Sequence, residues 1–312
     1  FPSGDPLYIH FAGCVDDIQT ASGGRLKIDV LPAGAAVGAG GTLDAIRAGV
    51  LDGHFSYAPI WTGLEPALAI LGDLPASHSR AETLVDFYYN GEGLALLQEA
   101  YGRFNAHTIG ILASGVEALA SRKPLATIDD MSGLKIRGGS RVVNEMLVAL
   151  GAEPVGMPVP QVPESLSRGV IDATTVPWEV TPSLRISELV TNHTGFSGTH
   201  GLYTQLFVFA MNKDAYEALP DDLKAVIDAN SGIETAAMFG RVMDEGDIYG
   251  LGIAEELGNN IITLDEEETQ RWLDTASPLI DSWIEEMTAQ GLDAATLVDE
   301  ARAMIEKHTN GN

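Results

Sequence analysis

The residues that could do chemistry are few and scattered. His10, His54, His78, His107, His193, His200 and His308 show neither an HExxH pair nor another recognisable metal-ligand spacing. Gly195-Phe196-Ser197-Gly198 lacks the glycine placement of a nucleophile elbow. Cys14 is the sole cysteine, so no intrachain disulfide can form, and with no sequence-level partner it reads as a quiet buried thiol. Gly38 to Leu43 follows a candidate strand and opens a candidate helix, as a phosphate loop does, but Leu43 stands where a dinucleotide fingerprint has its third glycine. No catalytic residue, metal site or cofactor is expected. One segment does point to binding chemistry: Asp130-Met131-Ser132-Gly133-Leu134-Lys135-Ile136-Arg137-Gly138-Gly139 sets Arg137 at the end of a short strand, beside two glycines. A planar five-donor guanidinium there can meet a carboxylate bidentately, and glycine lets a ligand approach the backbone. An arginine in such a place can equally serve the structure alone.

The elements that must hold Arg137 follow from hydrophobic periodicity. Arg25 to Leu31 alternates with period two and predicts a strand, followed by a glycine-rich loop and a helix from Gly41 to Ala48. Further strands are expected at 52–57, 105–112, 134–137, 155–159, 170–173 and 201–212, with helical stretches at 81–104 and 161–168. Ser140 is placed to cap a helix running to Leu150. This β-α-β rhythm predicts α/β layers with largely parallel strands. After Pro220 the pattern turns helical, apart from a short strand at 260–263.

Size and charge bound the partners. The 312 residues imply about two domains, and no Pro-, Gly- or Ser-rich linker separates them, so the lobes should share several chain crossings. With 18 Lys plus Arg against 44 Asp plus Glu, the net charge is −26, which argues against nucleic acid and against an anionic membrane surface. No run approaches the ~18 apolar residues of a membrane span, so no membrane insertion is expected. The chain begins at Phe1, as expected if a signal peptide has been removed.

Several segments, taken in order, resemble one family. They are Ser22 to Ile28 with Leu31-Pro32-Ala33-Gly34, then Ala45 to Asp52, then Gly133 to Arg137. Met146 to Pro154, Val155 to Val159, Gly169 to Glu179, and Met211 to Pro220 follow. The set resembles the extracytoplasmic solute-binding subunits of tripartite ATP-independent periplasmic (TRAP) transporters, the DctP-type C4-dicarboxylate-binding proteins. The resemblance implies a two-lobed periplasmic binding protein fold of the α/β class, with mixed sheets, crossing strands and a long helix joining the lobes. Lobe one would comprise 1–114 plus 203–242, and lobe two 115–202 plus 243–312. Such a receptor closes over a small organic acid and delivers it to the TRAP membrane permease subunits. A periplasmic monomer is expected.

The same resemblance puts Arg137 on the family's carboxylate-clamping arginine. It also marks departures. A second arginine often stands upstream, where this chain has Glu117. Val176 replaces a common asparagine before Pro177-Trp178, Val159 replaces an aromatic, and Tyr57 stands where some members place a glutamate. The pocket is then less polar than that of a sugar-acid or dicarboxylate binder, with Tyr57 and Trp178 as aromatic faces. That suits one carboxylate on an apolar or aromatic body. If Glu117 points into the cleft, a zwitterion such as a betaine or ectoine-like solute fits instead; a solvated Glu117 paired with Arg122 or Lys123 is the plainer reading. Tyr203 and Phe207 share the long returning strand; Phe207 reads as core packing, while Tyr203 suits either role. A sugar-acid binder of the same family stays open, as does a cytosolic α/β enzyme acting on a small acid.

Overall fold

The computed structural model describes residues 3–61, 67, 71–74, 81–91, 93–116, 118–198 and 201–310. The chain opens with α1 (Pro6–Ala21), whose Asp5 cap accepts the Leu7 amide at 3.0 Å and whose proline fills the first helical position. Then come α2 (Thr42–Arg47), β1 (Gly53–Tyr57), α3 (Ala81–Asn90), α4 (Gly93–Gly102), β2 (Ala106–Val116) and β3 (Ala118–Ser121). β4 (Lys135–Gly138), α5 (Arg141–Ala149), β5 (Glu153–Gly156), α6 (Val162–Ser167), β6 (Ala173–Val176) and β7 (Asn192–Gly195) form the middle. The rest is β8 (Tyr203–Asn212), α7 (Lys213–Glu217), α8 (Asp221–Ala229), α9 (Ile233–Glu256), β9 (Asn260–Thr263), α10 (Glu266–Ala276), α11 (Pro278–Ala289) and α12 (Ala294–Asn310).

Two sheets organise these elements. One is antiparallel in the order β1-β8-β2; the other has the order β5-β4-β6-β3-β7-β9. The second sheet is mixed: β4 runs parallel to β5 and β6, and β7 to β9, while β3 is antiparallel to β6 and β7. The expectation of largely parallel strands therefore holds for the β-α-β run around β4 and for the β7–β9 pair, but not for β3 or the three-stranded sheet. Parallel neighbours need a crossover, usually a helix, whereas among the described residues β2 to β3 and β7 to β8 carry no helix between them. Those two connections and α9 link the sheets, and the α10–α11 connection passes back between their cores. α9 packs on α1, α3 and β2 on one side and on the 178–180 turn on the other. This is the two-lobed α/β fold with crossing strands and a long joining helix.

The alternation at 25–31 does not make a strand. The segment is irregular, anchored where the Ile28 amide donates to Gln19 Oε1 (3.1 Å) and Tyr8 Oη donates to the Val30 carbonyl (3.2 Å). Without a ladder partner an alternating pattern has no backbone reason to remain a strand.

Separate cores underlie the sheets. Trp61, Phe87, Tyr88, Tyr101, Leu206 and Val208 pack with Ile280, Trp283 and Leu297, so α11 and α12 lie with the three-stranded sheet. Leu264, Trp272 and Ala276 instead pack with Ile136, Val143 and Met146 of the six-stranded sheet's core. Residues 243–312, grouped by sequence with lobe two, are thus shared between both cores.

Candidate ligand-binding site

Arg137 is set by its own strand. Ser140 stops β4 and caps α5, its hydroxyl accepting the Val143 amide at 3.2 Å. Ile136 is fully buried in the core, so Arg137 alternates onto the other face. There it is only 3 % exposed. Its Nε donates to the Met157 carbonyl and its Nη1 to the Thr175 carbonyl, both at 3.0 Å. These bonds span the strand ends on either side of β4 and lock the guanidinium plane. Nη2 makes no hydrogen bond to the described residues. Burial depresses the Arg137 pKa, opposed by Tyr203, Tyr57 and Asp73, and a guanidinium keeps its charge inside a protein. The two glycines have a geometric reason. A Cβ on Gly139 would lie 3.1 Å from Arg137 Nη2 and 3.3 Å from the Tyr57 ring, and one on Gly138 only 2.2 Å from Asn144 Oδ1.

Arg137 opens on a cavity of about 550 Å³ between the sheets, within the ordinary range for small-molecule sites. Its wall is aromatic. Phe55 and Tyr57 lie on the same face of β1, and Phe55 pairs with Phe209 and Tyr57 with Phe207 across the ladder. Phe11 of α1 stacks on Phe55 at 4.9 Å and meets Phe209 edge-on at 5.1 Å, and Tyr57 tilts against Phe207 at 5.6 Å. Val159, Pro177, Val180 and Met243 add aliphatic surface. Lys27, Asp29 and Asp52 stand exposed on the lining, while Gln205 and Glu179 line it as buried polar groups, and Oε1 of each has no partner among the described residues.

Glu179 packs near Asp5 at the start of α1. Burial, then repulsion from Asp5 and Asp247, raises its carboxyl well above the usual range, so it holds its proton at neutral pH. Behind Tyr57 lies Asp73, which is fully buried and accepts the Tyr57 hydroxyl. Burial raises Asp73 to about 7, against the downward pull of Ser140, Tyr57 and Arg137.

Of the residues singled out in the sequence, Arg137, Tyr57 and Val159 meet in the cavity lining. Val176 packs among Val162, Leu166 and Ile171, away from the lining. Trp178 tilts on His193 at 4.6 Å and packs on Ala254, also outside the lining. Tyr203 is fully buried behind Arg137, its hydroxyl 3.0 Å from Thr175 Oγ1. Phe207 is both buried and cavity-lining. Glu117 lies outside the described residues. Sequence reading missed Phe11, Phe55, Phe209, Gln205, Glu179 and Asp73. The aromatics become neighbours through strand register, which single-sequence periodicity does not specify.

Comparison with known proteins places this architecture. The profile of the bacterial extracellular solute-binding protein family 7, DctP, matches residues 1–286. The chain is 32 % identical to a TRAP solute-binding protein from Rhodoferax ferrireducens T118 solved with copurified benzoate, over 98 % of this chain and 95 % of that one, with TM-score 0.89. A marine metagenome TRAP solute-binding protein specific for aromatic acids, in complex with metahydroxyphenylacetate, is 31 % identical, with coverage of 98 % and 95 % and TM-score 0.86. One from Bordetella bronchiseptica, with bound (R)- and (S)-mandelate, is 25 % identical, with coverage of 98 % and 96 % and TM-score 0.88. The chain belongs to the bacterial extracellular solute-binding protein family 7 (DctP) and is a solute-binding receptor of the TRAP type.

Proposed function

We propose that the receptor binds a small monocarboxylate with an apolar or aromatic body, its carboxylate on Arg137 and its body against Phe55, Phe207, Phe209 and Tyr57. One observation carries the reading: a buried, charged guanidinium, fixed by two backbone carbonyls, opens onto an aromatic-walled cavity with its Nη2 edge unbonded among the described residues. In a low-dielectric cleft a charge-assisted pair with that edge is worth more than in water. Val159 supplies apolar surface beside the ring, while Tyr203 acts behind the clamp through Thr175. The three similar structures named above hold benzoate, metahydroxyphenylacetate and mandelate, which are acids of this kind.

A zwitterion would need an anionic partner for its nitrogen; Glu179, the buried carboxyl of the lining, keeps its proton, which leaves the exposed Asp29 and Asp52 at the rim for that role. The receptor works outside the cytoplasm, reaching the periplasm by a signal peptide, and hands its solute to TRAP permease subunits. Among the described residues no helix is long and apolar enough to cross a membrane. It is a binding protein rather than an enzyme. A thermal-shift panel of benzoates, aryl-keto acids, C4-dicarboxylates, sugar acids and betaines tests the ligand class. A ligand at a thousand times its Kd adds about 4 kcal/mol of stability. Shifts by aromatic monocarboxylates support the reading; shifts confined to betaines, sugar acids or dicarboxylates overturn it.

A further inference from the structure

Asp73 stands out among the buried ionisable groups. It sits one layer behind the cavity wall, fully buried, with Oδ1 taking the Tyr57 hydroxyl and Oδ2 without a partner among the described residues. Its backbone is held in the left-handed region, with φ at 66°, and its amide donates to the Thr204 carbonyl at 2.7 Å. A charged carboxylate in this place has lost its water and regained little, which is costly unless a positive charge is near or a proton is taken up.

Among the described residues, five groups face Asp73. Tyr57 comes from β1, Tyr88 from α3, Arg137 from β4, Ser140 from the N-terminus of α5, and Tyr203 from β8. Arg137 is the only cation among them. Its charge lowers the Asp73 carboxyl, so it is the cation on which Asp73 and a clamped carboxylate would both draw. Tyr57 stands between them. Its ring edge and Arg137 Nη2 both close on the same glycine, Gly139, and both residues line the cavity, which sets Tyr57 beside the place a carboxylate on Arg137 would occupy.

We propose that Asp73 couples capture of a carboxylate at Arg137 to the uptake of one proton, with Tyr57 as the relay. The proposal rests on the reading of Arg137 as the carboxylate clamp. With the cavity empty, ionised Asp73 holds the Tyr57 proton, and the phenol oxygen presents lone pairs to the cavity. A ligand anion arriving there meets the lone pairs of the phenol oxygen and, behind them, the charge of Asp73. Uptake resolves the conflict. A buffer acid gives its proton to the Tyr57 oxygen on the cavity side, and the Tyr57 proton passes to Asp73 Oδ1. Asp73 becomes a neutral acid donating to Tyr57, and Tyr57 now donates to the ligand carboxylate. One O–H bond forms on Asp73, one buffer acid loses its proton, and Tyr57 ends neutral, as it began. The carboxyl of Asp73 is poised for this, since burial places its titration near neutrality in the empty protein.

By linkage, anion affinity then depends on pH in a fixed direction. Above about pH 7 each unit of alkalinity weakens binding by up to about tenfold, and below it affinity levels off. Calorimetric titration of the full chain with sodium benzoate tests this, at pH 6, 7 and 8 in pairs of buffers with different ionisation heats. The buffer dependence of the heat counts protons: about half a proton per benzoate at pH 7, approaching one at pH 8. Asp73→Asn keeps the shape, tolerates a positive φ and removes the titration. It should show no uptake and bind benzoate more tightly than the wild type at pH 8, where a merely structural role for Asp73 would make it bind more weakly. Wild-type binding with no proton uptake would overturn the coupling and leave the clamp standing, whether or not the variant folds. Uptake that persists in Asp73→Asn would also overturn it. No binding of benzoate or any other carboxylate at any of these pH values would overturn the clamp and the coupling together.

Discussion

Arg137 and Thr175 are joined in both directions: Arg137 Nη1 donates to the Thr175 carbonyl at 3.0 Å, and Thr175 Oγ1 donates to the Arg137 carbonyl at 3.2 Å. Thr175 Oγ1 also lies 3.0 Å from the Tyr203 hydroxyl, which therefore donates to it. Thr175→Val removes this shared hydroxyl while preserving shape. The Tyr203 hydroxyl is left buried without its acceptor, costing about 1–3 kcal/mol of stability. Urea unfolding should show that loss, and acid affinity should fall severalfold because the clamp is less firmly held. Unchanged stability would contradict the role given to this bridge.

Gly250 of α9 faces the 178–180 turn so closely that a Cβ there would fall 2.1 Å from the Trp178 carbonyl oxygen. Helix propensity alone would favour alanine over glycine by about 1 kcal/mol. The clash is with backbone, which cannot swing aside, so it outweighs propensity. Gly250→Ala should lower the melting temperature and weaken acid binding, because Val180 and Glu179 of that turn line the cavity. A raised melting temperature would show that the turn gives way freely.

Gln205 offers from the cavity wall an Oε1 that has no partner among the described residues. A hydroxyl on an aromatic acid can satisfy it, and a neutral hydrogen bond contributes about 0.5–1.5 kcal/mol net. Gln205→Leu should raise the ratio of the 3-hydroxybenzoate Kd to the benzoate Kd about three- to tenfold. Parallel titrations of both acids would read this, and an unchanged ratio would remove Gln205 from ligand selection.

Glu179 gives stability a pH dependence of known sign. Its carboxyl is raised in the folded protein from an ordinary value of 4.5, chiefly by burial and then by Asp5. Between the two values the folded state holds a proton that the unfolded state has lost, so this group's contribution falls as pH rises through that window. Glu179→Gln removes the effect. The variant should be more stable than the wild type at pH 8, with the gap closing toward pH 4.5. Denaturant melts at pH 5 and 8 that show equal gaps would contradict it.

Much of the frame was legible because it is local. β4, the Ser140 cap, α5 and the β9 strand follow from periodicity and capping within a few residues, and Arg137 inherits its position from them. The short strands β3 and β7 escaped notice because four-residue segments carry too little pattern to separate from loops. Arg25 to Leu31 misled in the opposite sense, since alternation shows what a strand could bury but not whether a neighbour is present to pair with it. The aromatic wall was hidden for a similar reason: Phe11, Phe55 and Phe209 come from three separate elements and meet only through packing and register. Asp73 lies in a stretch with no periodicity, and its importance comes from burial, which the sequence does not show.

The most direct test of the central claim is the benzoate Kd of Arg137→Ala beside the wild type, measured by calorimetry at pH 7. Losing a buried charge partner costs about 2–5 kcal/mol. The variant should therefore bind at least about thirtyfold more weakly while keeping a cooperative unfolding transition. Binding within about threefold of the wild type would place the carboxylate elsewhere and contradict the clamp.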